Sequence, residues 1–215
     1  MKIILIILSI LSAGYASKSE CLVKKNISSE DVRNIEYGIK IIPSEISYSG
    51  TPVAMVTWED KSGNNLLFVT ETEEKFKRDE RTKELYAYHY FTGATENKQL
   101  WKIYDYIKDC PVDVTLSYIN ESLSITDLDN DGTGESSFLY KMSCKGDVSA
   151  DALKLIMHEG EKKYALRGSM NLIMNGQNLE KGSMKVDPSF NSAPDEFLEF
   201  AKVQWSKFKT EKIGE

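Results

Sequence analysis

Asp127, Asp129, Asp131 and Glu135 place four carboxylates within nine residues of the stretch ITDLDNDGTGESSFLY, and Gly132 follows the third aspartate. Counted from Asp127, the aspartates fall at positions 1, 3 and 5, Thr133 at position 7 and Glu135 at position 9. Calcium is a hard ion that takes about six to eight oxygens at roughly 2.3–2.6 Å. Alternating carboxylates on a curled loop can face one centre, the glycine permits the bend, and the Thr133 carbonyl offers a further oxygen. Without a cation, acids so close together repel one another, which favours a metal over an empty turn. The metal set read from the sequence is therefore Asp127, Asp129, Asp131, Thr133 and Glu135, with Ca2+ as the cofactor. Two other readings stand beside it: a hairpin turn around Asn130-Asp131-Gly132 with solvated acids, and part of a catalytic carboxylate pair. An EF-hand does not fit, because position 12 is Phe138 rather than a bidentate glutamate.

The flanks decide how such a loop is held. SLSIT and SSFLYK are rich in β-branched and aromatic residues, so strands rather than helices should enter and leave it. In that respect the loop resembles the strand–loop–strand calcium sites of integrin-type propeller blades, where the acid at position 9 closes the shell. A single copy is present, so no propeller follows.

Most of the remaining chain also reads as strands joined by turns. VAMVTWEDKSGNNLLFVTETEE is two β-rich runs around residues 60–65, a hairpin signal. In ELYAYHYF, Leu85, Ala87 and His89 alternate with Tyr86, Tyr88 and Tyr90, as in a sheet with one wetter side. QLWKIYDYI alternates imperfectly, and VDVTLSYI fits a strand or a short turn. LKLIMHEGEKKYALRG reads as a hairpin turning at Glu159-Gly160-Glu161, and Asn171 to Val186 as one strand with a Gly-rich turn. From Pro194 the period changes: Phe197, Leu198, Ala201, Trp205 and Phe208 mark an amphipathic helix near 194–209 that covers a sheet face, with Ser192 as its N-cap. The fold expected is mainly β: a single antiparallel β-sheet or sandwich domain with a C-terminal packing helix.

Residues 1–16 have the layout of a secretory signal peptide: Lys2, an apolar run from Ile3 to Leu11, then Gly14 and Ala16 at the −3 and −1 positions. The exported chain would run from residue 17 to 215 as one β-rich domain, without a transmembrane helix, in the periplasm or at the cell surface. With Lys2 removed its net charge is about −7, which argues against nucleic acid or an anionic membrane as partner. Export permits a disulfide, and Cys110 with Cys144 is the better pair among the three cysteines, Cys21 lying close to the leader; buried free thiols are the alternative. His158 reads as a surface turn residue and His89 as a sheet residue with a hydrogen-bonded ring. No G-x-S-x-G, P-loop or G-x-G-x-x-G occurs.

The run from Ser124 to Gly168 resembles a family of exported bacteroidete proteins described as surface polysaccharide biosynthesis proteins. The likeness rests on TDLDNDG with Glu135, on YK-x-x-C at Tyr140 to Cys144, on DVS at Asp147 to Ser149, and on KLIMHEG and YALRG. It is strongest over residues 101–168. The resemblance implies a role at the envelope in making or displaying lipopolysaccharide or capsule, with surface glycan or envelope assembly proteins as partners, and it carries no catalytic assignment. Tyr86, Tyr88 and Tyr90, with Tyr104 and Tyr106, are candidates for stacking on sugar rings, against ordinary packing within the sheet. The expected role is a non-catalytic, calcium-binding accessory. The alternative is a glycan-acting hydrolase with a carboxylate pair.

Overall fold

The structure, a computed structural model, describes residues 31–214. The signal peptide and Cys21 lie outside the described residues. Two six-stranded sheets pack face to face, and a small third sheet and one helix complete the fold. The first sheet begins with β1 (Arg33–Tyr37), β2 (Thr51–Asp60) and β3 (Gly63–Glu71). Strands β2 and β3 form the expected hairpin, with Asp60 opposite Gly63 and only Lys61-Ser62 in the turn. Next come β4 (Lys75–Lys77), β5 (Glu80–Thr92) and β6 (Asn97–Cys110). β5 lies between β3 and β6, and short β4 pairs with its first residues.

The second sheet holds β7 (Asp113–Tyr118), β8 (Ser124–Thr126), β9 (Glu135–Lys145), β10 (Ala152–Glu159) and β11 (Lys162–Ser169). β9 is central, bonded to β10 along one edge and to β7 and β8 along the other. The β10–β11 hairpin turns at Gly160-Glu161, with Glu159 opposite Lys162. Residues 171–186, expected as one strand, instead form three: β12 (Asn171–Met174), β13 (Gln177–Glu180) and β14 (Ser183–Val186). Asn175 and Gly176 take positive φ and make a tight β12–β13 turn, while β14 leaves to pair with β11.

The core lies between the sheets. Trp58, Leu67, Leu85, Ala87, Ile103, Leu116, Phe138 and Ile156 are all within it. The other face of the second sheet packs Leu139, Leu153, Leu155, Met157 and Tyr164 against Phe197, Ala201 and Trp205 of α1 (Asp195–Phe208). That two-sided burial explains the nearly continuous apolar run of β10. The N-cap of α1 is Pro194 with no side-chain cap; Ser192 ends a 3-10 turn (Pro188–Ser192) that is capped by Asp187. A short β15 (Thr210–Ile213) then runs parallel to β12.

The tyrosine face of β5 is not the wet side. Tyr86, Tyr88 and Tyr90 are 8%, 2% and 7% exposed, packed with Phe68, Met55 and Leu66 beneath Ile42 and Ile46. The chain between β1 and β2 covers this face: Tyr48 meets Phe68 edge-on at 5.5 Å, and the Ser49 amide donates to Tyr88 Oη at 3.0 Å. A second apolar layer packs these rings, in line with the reading of ordinary packing within the sheet rather than that of sugar stacking. Cys110 at the end of β6 and Cys144 in β9 form a disulfide, with Cα atoms 5.8 Å apart, tying the two sheets together.

Candidate metal centre

β8 and β9 pair antiparallel with Thr126 opposite Glu135, so residues 127–134 form a loop between two strands, as their flanks required. Asn130 and Gly132 take φ of 58° and 80°, and these two left-handed residues curl the loop. The carboxylates hold the curl from inside. Asp127 Oδ2 accepts from the Gly132 amide at 3.2 Å, Asp129 Oδ1 from the Asp131 amide at 3.2 Å, and Asp131 Oδ1 from the Thr133 amide at 2.7 Å.

The β2–β3 turn of the opposite sheet clasps the loop from outside. The Lys61 amide donates to the Gly132 carbonyl at 3.0 Å, and Lys61 Nζ donates to both the carbonyl and Oδ2 of Asp131 at 2.7 and 2.8 Å. Asp60 Oδ2 accepts from the Gly134 amide at 3.1 Å and from the Trp58 indole at 3.0 Å. Glycine is required at 134, because a Cβ there would lie 2.5 Å from the indole nitrogen of Trp58.

Two overlapping acid sets can hold a metal ion: Asp127, Asp129 and Glu135, and Asp129, Asp131 and Glu159, each with ligand atoms within 4.8 Å of one another. Four of the five residues expected from the sequence thus contribute carboxylates, Asp127, Asp129 and Glu135 to the first set and Asp129 and Asp131 to the second. Thr133 stands in the same loop, held by its amide. Glu159, Asp60 and Lys61 were missed. Glu159 is 24 residues from Glu135, yet β9 and β10 bring them directly opposite. The signal was the period of two along LKLIMHE, which puts Glu159 on one face with Leu155 and Met157.

Glu135 and Asp127 are both 1% exposed, and Glu135 is the one whose titration shifts most. Its Oε2 accepts from the Thr126 hydroxyl at 2.8 Å and the Leu128 amide at 3.0 Å. Its Oε1 is buried with no hydrogen-bond partner among the described residues. Burial, reinforced by the charges of Asp129 and Asp127, pushes the Glu135 pKa up to about 8. Asp129 is also raised, first by burial and then by Asp131, Glu159 and Asp127. Burial acts upward on Asp131 too, but the Lys61 bond and the Thr133 amide outweigh it and hold that carboxyl low. An incoming cation would meet a nearly dry oxygen on Glu135 and would relieve the repulsion among its neighbours.

The histidines lie elsewhere in the sandwich. His158 is not a surface turn residue: it is 4% exposed and stacks on Trp101 with ring centroids 4.0 Å apart. Its position on β10 places it opposite Ser136, on the face of the second sheet that meets the first. Burial, then Lys163 and His89, depress its pKa to about 3. His89 Nε2 is 2.9 Å from Asn65 Oδ1, and burial lowers its pKa to about 4. Both rings therefore stay neutral and act as packing groups. Of the tyrosines, Tyr86, Tyr88 and Tyr90 have no open ring face for a sugar, whereas Tyr104 and Tyr106 are 43% and 46% exposed. Arg167 pairs with Asp187 at 2.6 Å.

Fold and site together define a disulfide-tied antiparallel β-sandwich whose two sheets meet at an acid-lined loop. Comparison with protein-family models, curated proteins and solved structures found no match. No helix among the described residues is long and apolar enough to cross a membrane.

Proposed function

We propose that the protein is an exported calcium-binding protein of the bacterial envelope that supports the making or display of surface polysaccharide as a non-catalytic accessory. The observation that carries the metal reading is Glu135 Oε1, buried and unpartnered beside Asp127 and Asp129. Carboxylates alone, without histidine or thiolate, suit a hard cation, and their alternation along a curled loop suits calcium better than magnesium, which keeps several waters. The Cys110–Cys144 disulfide accords with an oxidising compartment outside the cytoplasm. The likeness over residues 101–168 supports the link to lipopolysaccharide or capsule.

A carboxylate-pair hydrolase draws on one feature, the proton that Glu135 keeps near neutral pH beside Asp129. A glycosidase acid must reach the leaving oxygen of its substrate, and a side chain at 1% exposure is closed to a sugar. That burial favours the accessory reading. Incubating the protein with purified lipopolysaccharide and capsule, with calcium or with chelator, separates the two. Calcium-dependent retention of glycan without new reducing ends is the expected result. Release of reducing ends that is abolished by Glu135→Gln would replace the accessory role with catalysis.

A further inference from the structure

A second concave site uses none of the acidic loop. A cavity of about 320 Å3 opens where the C-terminal part of α1 passes the turn between β13 and β14, and Lys181, Lys202 and Lys209 are among the residues that line it. Ser169, Asn171 and Ser206 add hydroxyl and amide groups to its wall. The volume is at the lower end of the roughly 300–1,000 Å3 typical of small-molecule sites, enough for one sugar ring.

Three lysines share this one wall. The chain carries net −6, and Lys61, Lys83, Lys141 and Lys154 each sit beside a carboxylate. Among the described residues, none of Lys181, Lys202 and Lys209 has an ion-pair partner. An anion seated in the hollow would be within reach of all three ammonium groups and would offset their like charge.

The walls are built rather than incidental. The Gly182 amide donates to Asn171 Oδ1 at 2.8 Å, the Ser183 amide to Ser169 Oγ at 3.1 Å, and the Asn171 amide to the Lys209 carbonyl at 2.7 Å. Gly182 presses so close that a Cβ there would lie 2.3 Å from the Ser169 carbonyl oxygen. The turn that carries Lys181 is thereby fixed against β12 and the end of α1. The backbone that carries Lys181 is therefore set before any ligand arrives.

We propose that this cavity binds an anionic monosaccharide unit, its phosphate or carboxylate held by the three lysines and its ring hydroxyls by Ser169, Asn171 and Ser206. The proposal goes beyond the metal reading and does not depend on it. Titrations of the 15N-labelled protein with glucose 6-phosphate, glucuronate and glucose, at constant ionic strength, test it. Saturable shifts of the Gly182 and Ser183 amides and the Trp205 indole are expected with either anionic sugar or both, and none with glucose. A response to one anionic sugar alone assigns the group as phosphate or carboxylate. Lys181→Gln with Lys202→Gln should weaken binding at least tenfold, while the exposed control Lys98→Gln binds as wild type. Equal shifts with glucose, inorganic phosphate binding as tightly as glucose 6-phosphate, or a double variant that binds normally would each overturn the proposal.

Discussion

Replacing Glu135 with glutamine should change the stability of the protein in opposite directions with and without calcium. In chelator, the raised pKa of Glu135 means that the fold holds a proton which the unfolded chain gives up above its ordinary value of 4.5. The associated stability is fully present below pH 4.5 and is lost as pH rises towards about 8. At pH 7.5 the loss amounts to about 3 pH units at 1.36 kcal/mol each, on the order of 4 kcal/mol. Glutamine is neutral at every pH, keeps an acceptor for Thr126 and Leu128, and turns an amide group towards Asp127 and Asp129. Allowing about half the linkage figure for relaxation, Glu135→Gln should stabilise the metal-free protein by about 2 kcal/mol, or roughly 4–8 °C in midpoint. Calcium at about one hundred times its Kd should add about 2.7 kcal/mol to the wild type and almost nothing to the variant. Differential scanning calorimetry at pH 7.5, in chelator and in calcium, reads all four values. A variant that melts below the wild type in chelator, or that keeps the calcium shift, would refute the reasoning.

Three further outcomes follow from other parts of the fold. Replacing Cys110 and Cys144 with alanine opens a loop of 34-residue separation and should cost about 4 kcal/mol, measured by urea unfolding. His89 and His158 have folded pKa values near 4 and 3, below the unfolded 6.5, so their contribution is complete above pH 6.5 and is lost as pH falls towards those values. Stability should drop by a few kcal/mol between pH 6.5 and 4, and His158→Phe, which preserves the stack on Trp101, should flatten that slope. Gly134→Ala drives a methyl group into the Trp58 indole and should break its bond to Asp60; a calcium affinity equal to that of the wild type would show that the clasp does not shape the loop.

Local pattern carried the strands well, because each rule spans only a few residues. The hairpins at Lys61-Ser62 and Gly160-Glu161, the strand–loop–strand frame and the stripe of α1 follow from alternation, turn chemistry and a 3.6-residue period. The Cys110–Cys144 pair emerged from compartment and position. The misses share a different cause. For Tyr86, Tyr88 and Tyr90 alternation left sugar stacking and sheet packing open; residues 42–48 fold over them and settle it as packing, and nothing within β5 signals that cover. His158 sits one residue before a turn yet lies between the sheets, because its neighbour is Trp101 from β6. Glu159 and Lys61 reach the acidic loop through strand register and sheet stacking, which a nine-residue motif cannot express. Ser192 lost its capping role because Pro188 starts a separate turn before the helix.

The proposed calcium site is the loop from Asp127 to Glu135 with Glu159 of β10. Isothermal titration of the chelator-treated protein with calcium, alongside Asp129→Ala and Glu159→Gln, tests it most directly. Asp129 belongs to both acid sets and Glu159 to one. A saturable binding isotherm for the wild type, loss of binding in Asp129→Ala and weakened binding in Glu159→Gln are the predicted results. A wild type that takes up no calcium, or an Asp129→Ala variant that binds it equally well, would contradict the account.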